Sequence, residues 1–174
     1  MRVLAISGSL RSDSSNSLLL KAIQRCAPEA MDIAIYQRLE SLPIFNPDLE
    51  GSLTPTEVEL FCSEIEKADG IIIASPEYVR AIPGGLKNAI DWLVSRPEIM
   101  SMPIVLAHSS YRGDDMLASL RIVLHTVSDR FDEDNFLRIA LNSTSPVSVD
   151  ALLSDPANRS SIVKFLSRFE RHIG

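Results

Sequence analysis

The sequence predicts a doubly wound α/β fold, a three-layer sandwich in which helices cover both faces of a five-stranded parallel sheet. Short apolar runs alternate along the chain with amphipathic helical patterns. The clearest run, residues 70–75, is apolar and β-branched, as strands buried on both faces require. The length of 174 residues predicts a single domain, residues 1–174, with enough chain for a substantial core.

Each strand is predicted from an apolar run that turn residues interrupt. The five predicted strands cover, in order, residues 3–7, 32–36, 70–75, 103–107 and 136–141. Gly8 allows a sharp exit from the first strand. After the second strand, Pro43, Pro47 and Gly51 indicate a long loop.

The helices are predicted from apolar residues at helical spacing. They cover, in order, residues 17–26, a segment beginning at Pro55, a segment beginning at Pro83, residues 116–127 and residues 160–171. Asn16 or Ser17 is expected to cap the first helix, and Thr54 the second. One apolar stripe recurs along the third helix at i, i+3, i+4, i+7 and i+8: Leu86, Ala89, Ile90, Leu93 and Val94.

The composition argues against several classes of partner. The formal net charge is −6 and Lys and Arg do not cluster, so neither nucleic acid nor an anionic membrane is expected as a partner. No apolar stretch is long enough for a bilayer, and no signal-peptide pattern is seen, so a cytoplasmic location is expected. Cys26 and Cys62 lack CxxC spacing and are expected to be buried thiols.

Three loops at the carboxyl ends of the strands are expected to converge, because ligands of doubly wound folds bind there. They are residues 8–16, 75–82 and 108–115. The first is crowded with donors at the start of a helix: Ser9, Arg11, Ser12, Ser14, Ser15, Asn16 and Ser17. It matches neither GxGxxG nor GxxxxGK[ST]. Many donors suit a terminal phosphate, as on a mononucleotide or FMN; the alternative is a serine-rich turn that only caps the helix.

Two segments closely resemble the signature of the NADPH-dependent FMN reductase family, the flavodoxin-like quinone, azo-dye and chromate reductases. The family pattern GSLRxxSxN matches residues 8–11, Ser14 and Asn16, and SPEYNxxxPGxLKNAIDW matches most of residues 75–92. "LPIFNPDLE", residues 42–50, also resembles a family loop. The resemblance extends to about Arg121. It implies a flavodoxin-like sheet with strand order 2-1-3-4-5.

The resemblance also implies cofactors, site residues and partners. The phosphate and ribityl chain of FMN would contact Ser9, Arg11, Ser14, Asn16 and Ser17. The isoalloxazine ring would lie against Pro76, Glu77, Tyr78, Val79, Arg80 and the loop that starts at Ser109. NADPH would supply hydride, and a quinone, azo compound, metal oxyanion or free flavin would accept it. The family's assemblies imply a homodimer or homotetramer. No catalytic side chain and no metal site are expected, and the histidines at 108, 125 and 172 are scattered.

Two departures from the family pattern leave alternatives open. Val79-Arg80 replaces the usual Asn-Gly, which removes an easy left-handed turn. Residues 109–116 retain only Gly113 of a glycine run, so Tyr111 and Arg112 either cover the ring or contact a phosphate, or fill the space of the flavin. The alternative functions are a flavodoxin-like electron carrier and a flavin-free paralogue with a binding or structural role.

Three further features carry expectations. Trp92 is expected to pack at a subunit interface, which the family's dimers imply. Glu77 either accepts a hydrogen bond from the flavin ribityl chain or fixes its own loop. The acidic run at residues 129–134 lacks the glycine and spacing of an EF-hand, and a solvated loop is expected there.

Overall fold

The computed structural model describes residues 1–11, 13–141 and 148–174. Its centre is a parallel sheet of five strands: β1 (Arg2–Ser7), β2 (Asp32–Tyr36), β3 (Gly70–Ala74), β4 (Ile104–His108) and β5 (Phe131–Arg138). The strand order is β2-β1-β3-β4-β5. The predicted flavodoxin-like order is therefore confirmed.

The described residues form more helices than the five predicted. They are α1 (Ser15–Arg25), α2 (Thr56–Glu66), α3 (Gly84–Asp91), α4 (Pro97–Met100), α5 (Asp114–Val127), α6 (Val149–Ser154) and α7 (Pro156–Ile173). The short helices α4 and α6 were not predicted, and α7 begins four residues before the predicted start. Three 3₁₀ turns between residues 39 and 53 shape the long loop after β2.

Apolar side chains cover both faces of the sheet, because neighbouring residues of each strand point to opposite sides. On one face, strand residues such as Ile73 and Leu106 pack with α2, α3 and α5 around Phe61. On the other, residues such as Ile72 and Val105 pack with α1 and α7. This burial makes the three-layer sandwich that the sequence predicts.

The start of the fifth strand was predicted wrongly. β5 begins at Phe131, and the acidic residues Asp132, Glu133 and Asp134 lie within it rather than in a solvated loop. The pairing of β5 with β4 shifts register between Ile104 and Leu106. This irregularity breaks the alternation of buried and exposed positions along β5, so the sequence of its first residues lacks the pattern of a strand and resembles a loop. Bulges and charges of this kind protect edge strands from pairing with other chains.

The end of α3 also differs from the prediction. The helix stops at Asp91, and Val94, which was assigned to its apolar stripe, is exposed. Trp92 lies in the chain's own core with 1% exposure, so its assignment to a subunit interface is wrong. Its Nε1–H donates to the Pro43 carbonyl at 2.8 Å, and its ring meets the Phe45 ring edge-on at 5.0 Å. The long loop after β2 therefore folds over α3.

Both predicted N-caps were wrong. The side chain of Ser14, rather than that of Asn16 or Ser17, accepts the backbone N–H of Ser17 at 3.0 Å and caps α1. The hydroxyl of Thr54 donates to a carbonyl of the preceding turn instead of capping α2. The cap shift matters because it places the Ser17 side chain inside the first turn of α1.

Both cysteines are free thiols, as expected, although only Cys62 is fully buried and Cys26 is half-buried. Burial raises the pKa of Cys62 to about 11. In the part of the chain that the structure describes, no helix has the length and apolar character needed to cross a membrane.

Candidate cofactor-binding site

Three loops meet at the carboxyl edge of the sheet, as the sequence predicts. We call them the first loop (residues 8–14, after β1), the second loop (residues 75–83, after β3) and the third loop (residues 109–113, after β4). Buried polar residues concentrate here: Ser7, Ser9, Asn16, Ser75, His108 and Ser109. Buried polar groups are costly unless they are paired, so this concentration marks a polar site within an apolar fold.

Direct hydrogen bonds join the three loops. The hydroxyl groups of Ser9 and Tyr78 lie 3.4 Å apart and connect the first loop to the second. The backbone N–H of Ser109 donates to Asn16 Oδ1 at 3.3 Å, and its hydroxyl donates to Ser15 at 2.8 Å. Ser9, Asn16, Tyr78 and Ser109, all predicted site residues, are therefore brought together.

The first loop surrounds the amino end of α1 with hydroxyl groups. Ser17 Oγ lies 2.8 Å from Ser14 Oγ and 3.1 Å from Ser7 Oγ. An adjoining cleft of about 240 Å³ is bounded by Ser9, Arg11, Ser17 and Lys21, with the end of β2 opposite. Ser12, which the sequence included among the donors, lies outside the described residues.

The charge at the amino ends of the two site helices differs. The first turn of α1 is uncharged, so its dipole and the guanidinium of Arg11 both favour an anion. The first turn of α5 carries Asp114 and Asp115. The guanidinium of Arg138 donates to Asp114 at 2.6 Å and lowers the pKa of that carboxyl group. An anionic ligand is therefore favoured at α1.

Gly8 lets the first and second loops approach closely. Its N–H donates to the Ala74 carbonyl at 2.8 Å. A Cβ at this position would lie 2.5 Å from Ser75 Oγ and 3.0 Å from Leu86, which is closer than van der Waals contact. A side chain at residue 8 would therefore require Ser75 and Leu86 to shift.

The second loop contains a tight antiparallel turn with its tip at Val79 and Arg80. Tyr78 and Ala81 exchange backbone hydrogen bonds at 3.2 and 3.0 Å. Val79 and Arg80 have φ angles of 52° and 60°. The left-handed turn therefore persists without the glycine that would make it easy. Its backbone is strained, above all at β-branched Val79.

The side chains at the tip point away from the convergence of the loops. Val79 is 99% exposed. Arg80 Nε donates to Asp115 Oδ2 at 2.6 Å, which ties the tip to α5. Tyr111 on the third loop is also largely exposed. These side chains therefore do not fill the space between the loops.

Pro76 and Glu77 form the base of the second loop, and both are half-buried. Glu77 Oε2 accepts the backbone N–H of Met116 at 3.2 Å, in the first turn of α5. The N-cap of that helix is Gly113, which has no side chain to supply this bond. Of the two roles considered for Glu77, the structure shows the one that fixes the loop.

Sequence reasoning missed His108, the last residue of β4. Its ring is fully buried, with Nδ1 2.8 Å from the Ser75 carbonyl oxygen and Nε2 2.5 Å from the Arg112 carbonyl oxygen. The other two histidines lie elsewhere, on α5 and α7. A signal was present, because a polar residue at the carboxyl end of an apolar strand lies at the functional edge of this fold.

This strand order, together with a hydroxyl-rich loop at the helix that follows β1, defines a flavodoxin-like fold with a polar site at the carboxyl edge of the sheet. The chain belongs to the NADPH-dependent FMN reductase family, whose sequence model matches residues 1–131. The family resemblance seen in the sequence motifs is therefore confirmed.

Individual relatives agree with this assignment. A quinone reductase of Escherichia coli is 34% identical over 113 residues, which are 63% of this chain and 60% of that protein. An NAD(P)H-dependent FMN reductase of Pseudomonas aeruginosa is 41% identical over 56% of this chain and 52% of its own. The chain thus matches between half and two thirds of the length of these relatives. The solved structure of FerB, a flavoenzyme NAD(P)H:(acceptor) oxidoreductase from Paracoccus denitrificans, has a TM-score of 0.79 and 25% identity, covering 98% of both chains.

Proposed function

We propose that this chain is an FMN-containing oxidoreductase that takes hydride from NAD(P)H and reduces a small-molecule electron acceptor. A quinone is the first candidate acceptor, because several relatives of this chain are named quinone reductases. Azo compounds, metal oxyanions and free flavin are the other candidates. The observation that carries the proposal is the convergence of the three loops beside an uncharged, hydroxyl-lined helix start.

The donor set around α1 fits the phosphate of FMN. A terminal phosphate is a dianion at neutral pH, with three oxygens that need many donors. The proposed donors are Ser9, Arg11, Ser14, Asn16 and Ser17, together with free N–H groups of the first turn. The first turn of α1 has no acidic residue, which suits an anion, whereas the acidic first turn of α5 does not.

The second and third loops are proposed to hold the ring. The residues concerned are Pro76, Glu77, Tyr78 and Ser109, together with Val79 and Arg80, whose part is assigned to their backbone because their side chains point outward. When bound, FMN supplies the acceptance and onward transfer of hydride. The protein's part is to orient the ring, to exclude water, and to present backbone N–H groups where negative charge develops. Glu77 acts here through α5, by fixing the base of the second loop.

The first test is spectroscopic. We expect the purified protein supplied with FMN to show the absorption band of bound flavin, and NADPH to bleach this band without oxygen. Flavin that binds tightly but is not bleached would favour an electron carrier. Absence of flavin binding would favour a flavin-free paralogue and would contradict the proposal.

The second test probes the phosphate site through Arg11→Ala. Loss of a charged donor should weaken FMN binding about tenfold or more, and riboflavin, which lacks the phosphate, should bind unchanged. Arg25→Ala is the matched control, because this arginine lies at the other end of α1 in an exposed pair with Asp150. Equal losses for FMN and riboflavin would remove Arg11 from the phosphate site.

We also propose a homodimer or homotetramer. Large apolar side chains are exposed on all three loops: Leu10, Tyr78, Val79 and Tyr111. Burial against another copy would remove this apolar surface from water. Light scattering during size-exclusion chromatography tests the proposal, and a monomer at micromolar concentration would contradict it.

Two further proposals concern the chain as a whole. A single domain over residues 1–174 is supported by the one sheet to which all five strands belong. A single cooperative unfolding transition is expected for one domain, and two separate transitions would contradict it.

A cytoplasmic location is supported by two thiols that are free rather than paired, since disulfides persist in oxidising compartments.

A further inference from the structure

The side chain of His108 connects the second and third loops from below. It is fully buried, with Nδ1 directed at the Ser75 carbonyl and Nε2 at the Arg112 carbonyl. Gly113 packs directly against this ring, because a Cβ there would lie 2.7 Å from Nε2. One backbone carbonyl from each loop therefore faces the same imidazole ring.

Hydrogen-bond chemistry restricts the state in which the ring makes both contacts. Carbonyl oxygens only accept, and a neutral imidazole has a single N–H to donate. A doubly protonated imidazolium donates at both nitrogens. In the neutral ring, one nitrogen lone pair would face a carbonyl oxygen at close range, with no exposed surface through which water reaches it.

We propose that His108 is a positioning residue that, as an imidazolium, holds the second and third loops at the separation that receives the flavin ring. The inference rests on the proposed function for its ligand, but the contacts themselves do not depend on the flavin. Loss of one proton would release one loop carbonyl and allow the separation to relax.

The charges around His108 are mixed. They are Glu77 and Arg80 on the second loop, Arg112 on the third loop, Asp114 and Asp115 at the start of α5, and Arg138 on β5. Arg80 pairs with Asp115, and Arg138 pairs with Asp114. Glu77 makes no ion pair within the described ranges. A Cβ added to Gly113 would lie 2.7 Å from His108 Nε2 and 3.7 Å from Glu77 Cβ, so both residues border the same space.

The consequence for binding follows from the populations of loop states. If the loops are held apart correctly only while His108 donates at both nitrogens, FMN affinity scales with the fraction of protein in that state. Affinity should therefore be lower whenever the His108 ring carries only one proton. We expect a decrease of about tenfold, the value of one hydrogen bond from a charged donor.

The first experiment uses the apoprotein and needs no flavin. Nitrogen-15 NMR of the histidine side chains reports which ring nitrogens carry protons. We expect a pH range in which His108 of the folded apoprotein carries two protons, and hydrogen exchange of the Gly113 amide to accelerate when one proton is lost. A ring that carries a single proton throughout the pH range in which the protein is folded would overturn the proposal.

The second experiment measures FMN affinity against pH by flavin fluorescence. His108→Gln should bind FMN more weakly and lose the pH dependence, whereas His125→Gln, an exposed control on α5, should keep the wild-type profile. A His108→Gln protein with the wild-type pH profile would overturn the proposal. If the NMR result holds but no variant binds FMN, the proposed function fails while the tie between the loops stands.

Discussion

The strained tip of the second loop yields a quantitative prediction about stability. Val79 has φ of 52°, where a β-branched L-residue clashes with its own backbone. Asparagine adopts this region far more readily, so Val79→Asn should relieve the clash. Because Val79 is 99% exposed in the single chain, the substitution removes almost no packing within the fold.

The expected gain is about 1 kcal/mol in the free energy of unfolding, from the cost of left-handed backbone for an ordinary residue. For a protein of this size, that gain corresponds to an increase in Tm of about 2–4 °C. Urea unfolding of the apoprotein, followed by circular dichroism, measures the change in midpoint at constant m-value.

Val94→Asn is the matched control for this measurement. Val94 is also an exposed valine, on the turn after α3, but its φ angle is not positive. The control should change stability by less than about 0.5 kcal/mol. If Val79→Asn fails to exceed the control, the tip is not strained as its backbone angles indicate.

Three further predictions follow from other contacts. Gly8→Ala should lower stability by about 1–3 kcal/mol through overpacking against Ser75. Gly84→Ala should not, because an added Cβ there meets no atom within 4 Å, and urea unfolding compares the two variants. Glu77→Ala should cost about 1 kcal/mol by removing the hydrogen bond at the start of α5, and a loss no larger than that of an exposed Glu→Ala change would refute this role. The pKa of Cys62 is raised by burial from 9.0 to about 11, so the unfolded chain releases this proton first. Stability should therefore fall as pH rises from 9 to 11, and Cys62→Ala should reduce that slope.

The predicted site residues illustrate how far local sequence patterns reach. The serines around α1 were identified because donors crowd between an apolar run and a helix, which is a pattern of neighbours. The cap itself was misplaced, because Ser14, Asn16 and Ser17 have nearly equal capping preferences. Only the backbone path of the first loop distinguishes them.

Errors elsewhere arise where distant segments meet. The residues around Trp92 do not indicate that its indole N–H will donate to the Pro43 carbonyl. Likewise, the acidic residues at the start of β5 do not indicate that this segment will pair with β4. Val79 shows the opposite case, in which a clear local preference is overridden because Tyr78 and Ala81 close the turn regardless.

By itself, the sequence determined the layers of the fold, the three loops of the site and the chemistry of the first loop, because periodicity and turn residues act over a few positions. Only the tertiary structure decided that His108 lies between two loop carbonyls and that Glu77 caps α5. His108 and Ser75 are 33 positions apart in the sequence, and Met116 and Glu77 are 39 apart. Arg112 meets His108 because the third loop folds back over the end of β4. They exist because the parallel sheet places the ends of β3 and β4 side by side, a juxtaposition that no stretch of neighbouring residues encodes.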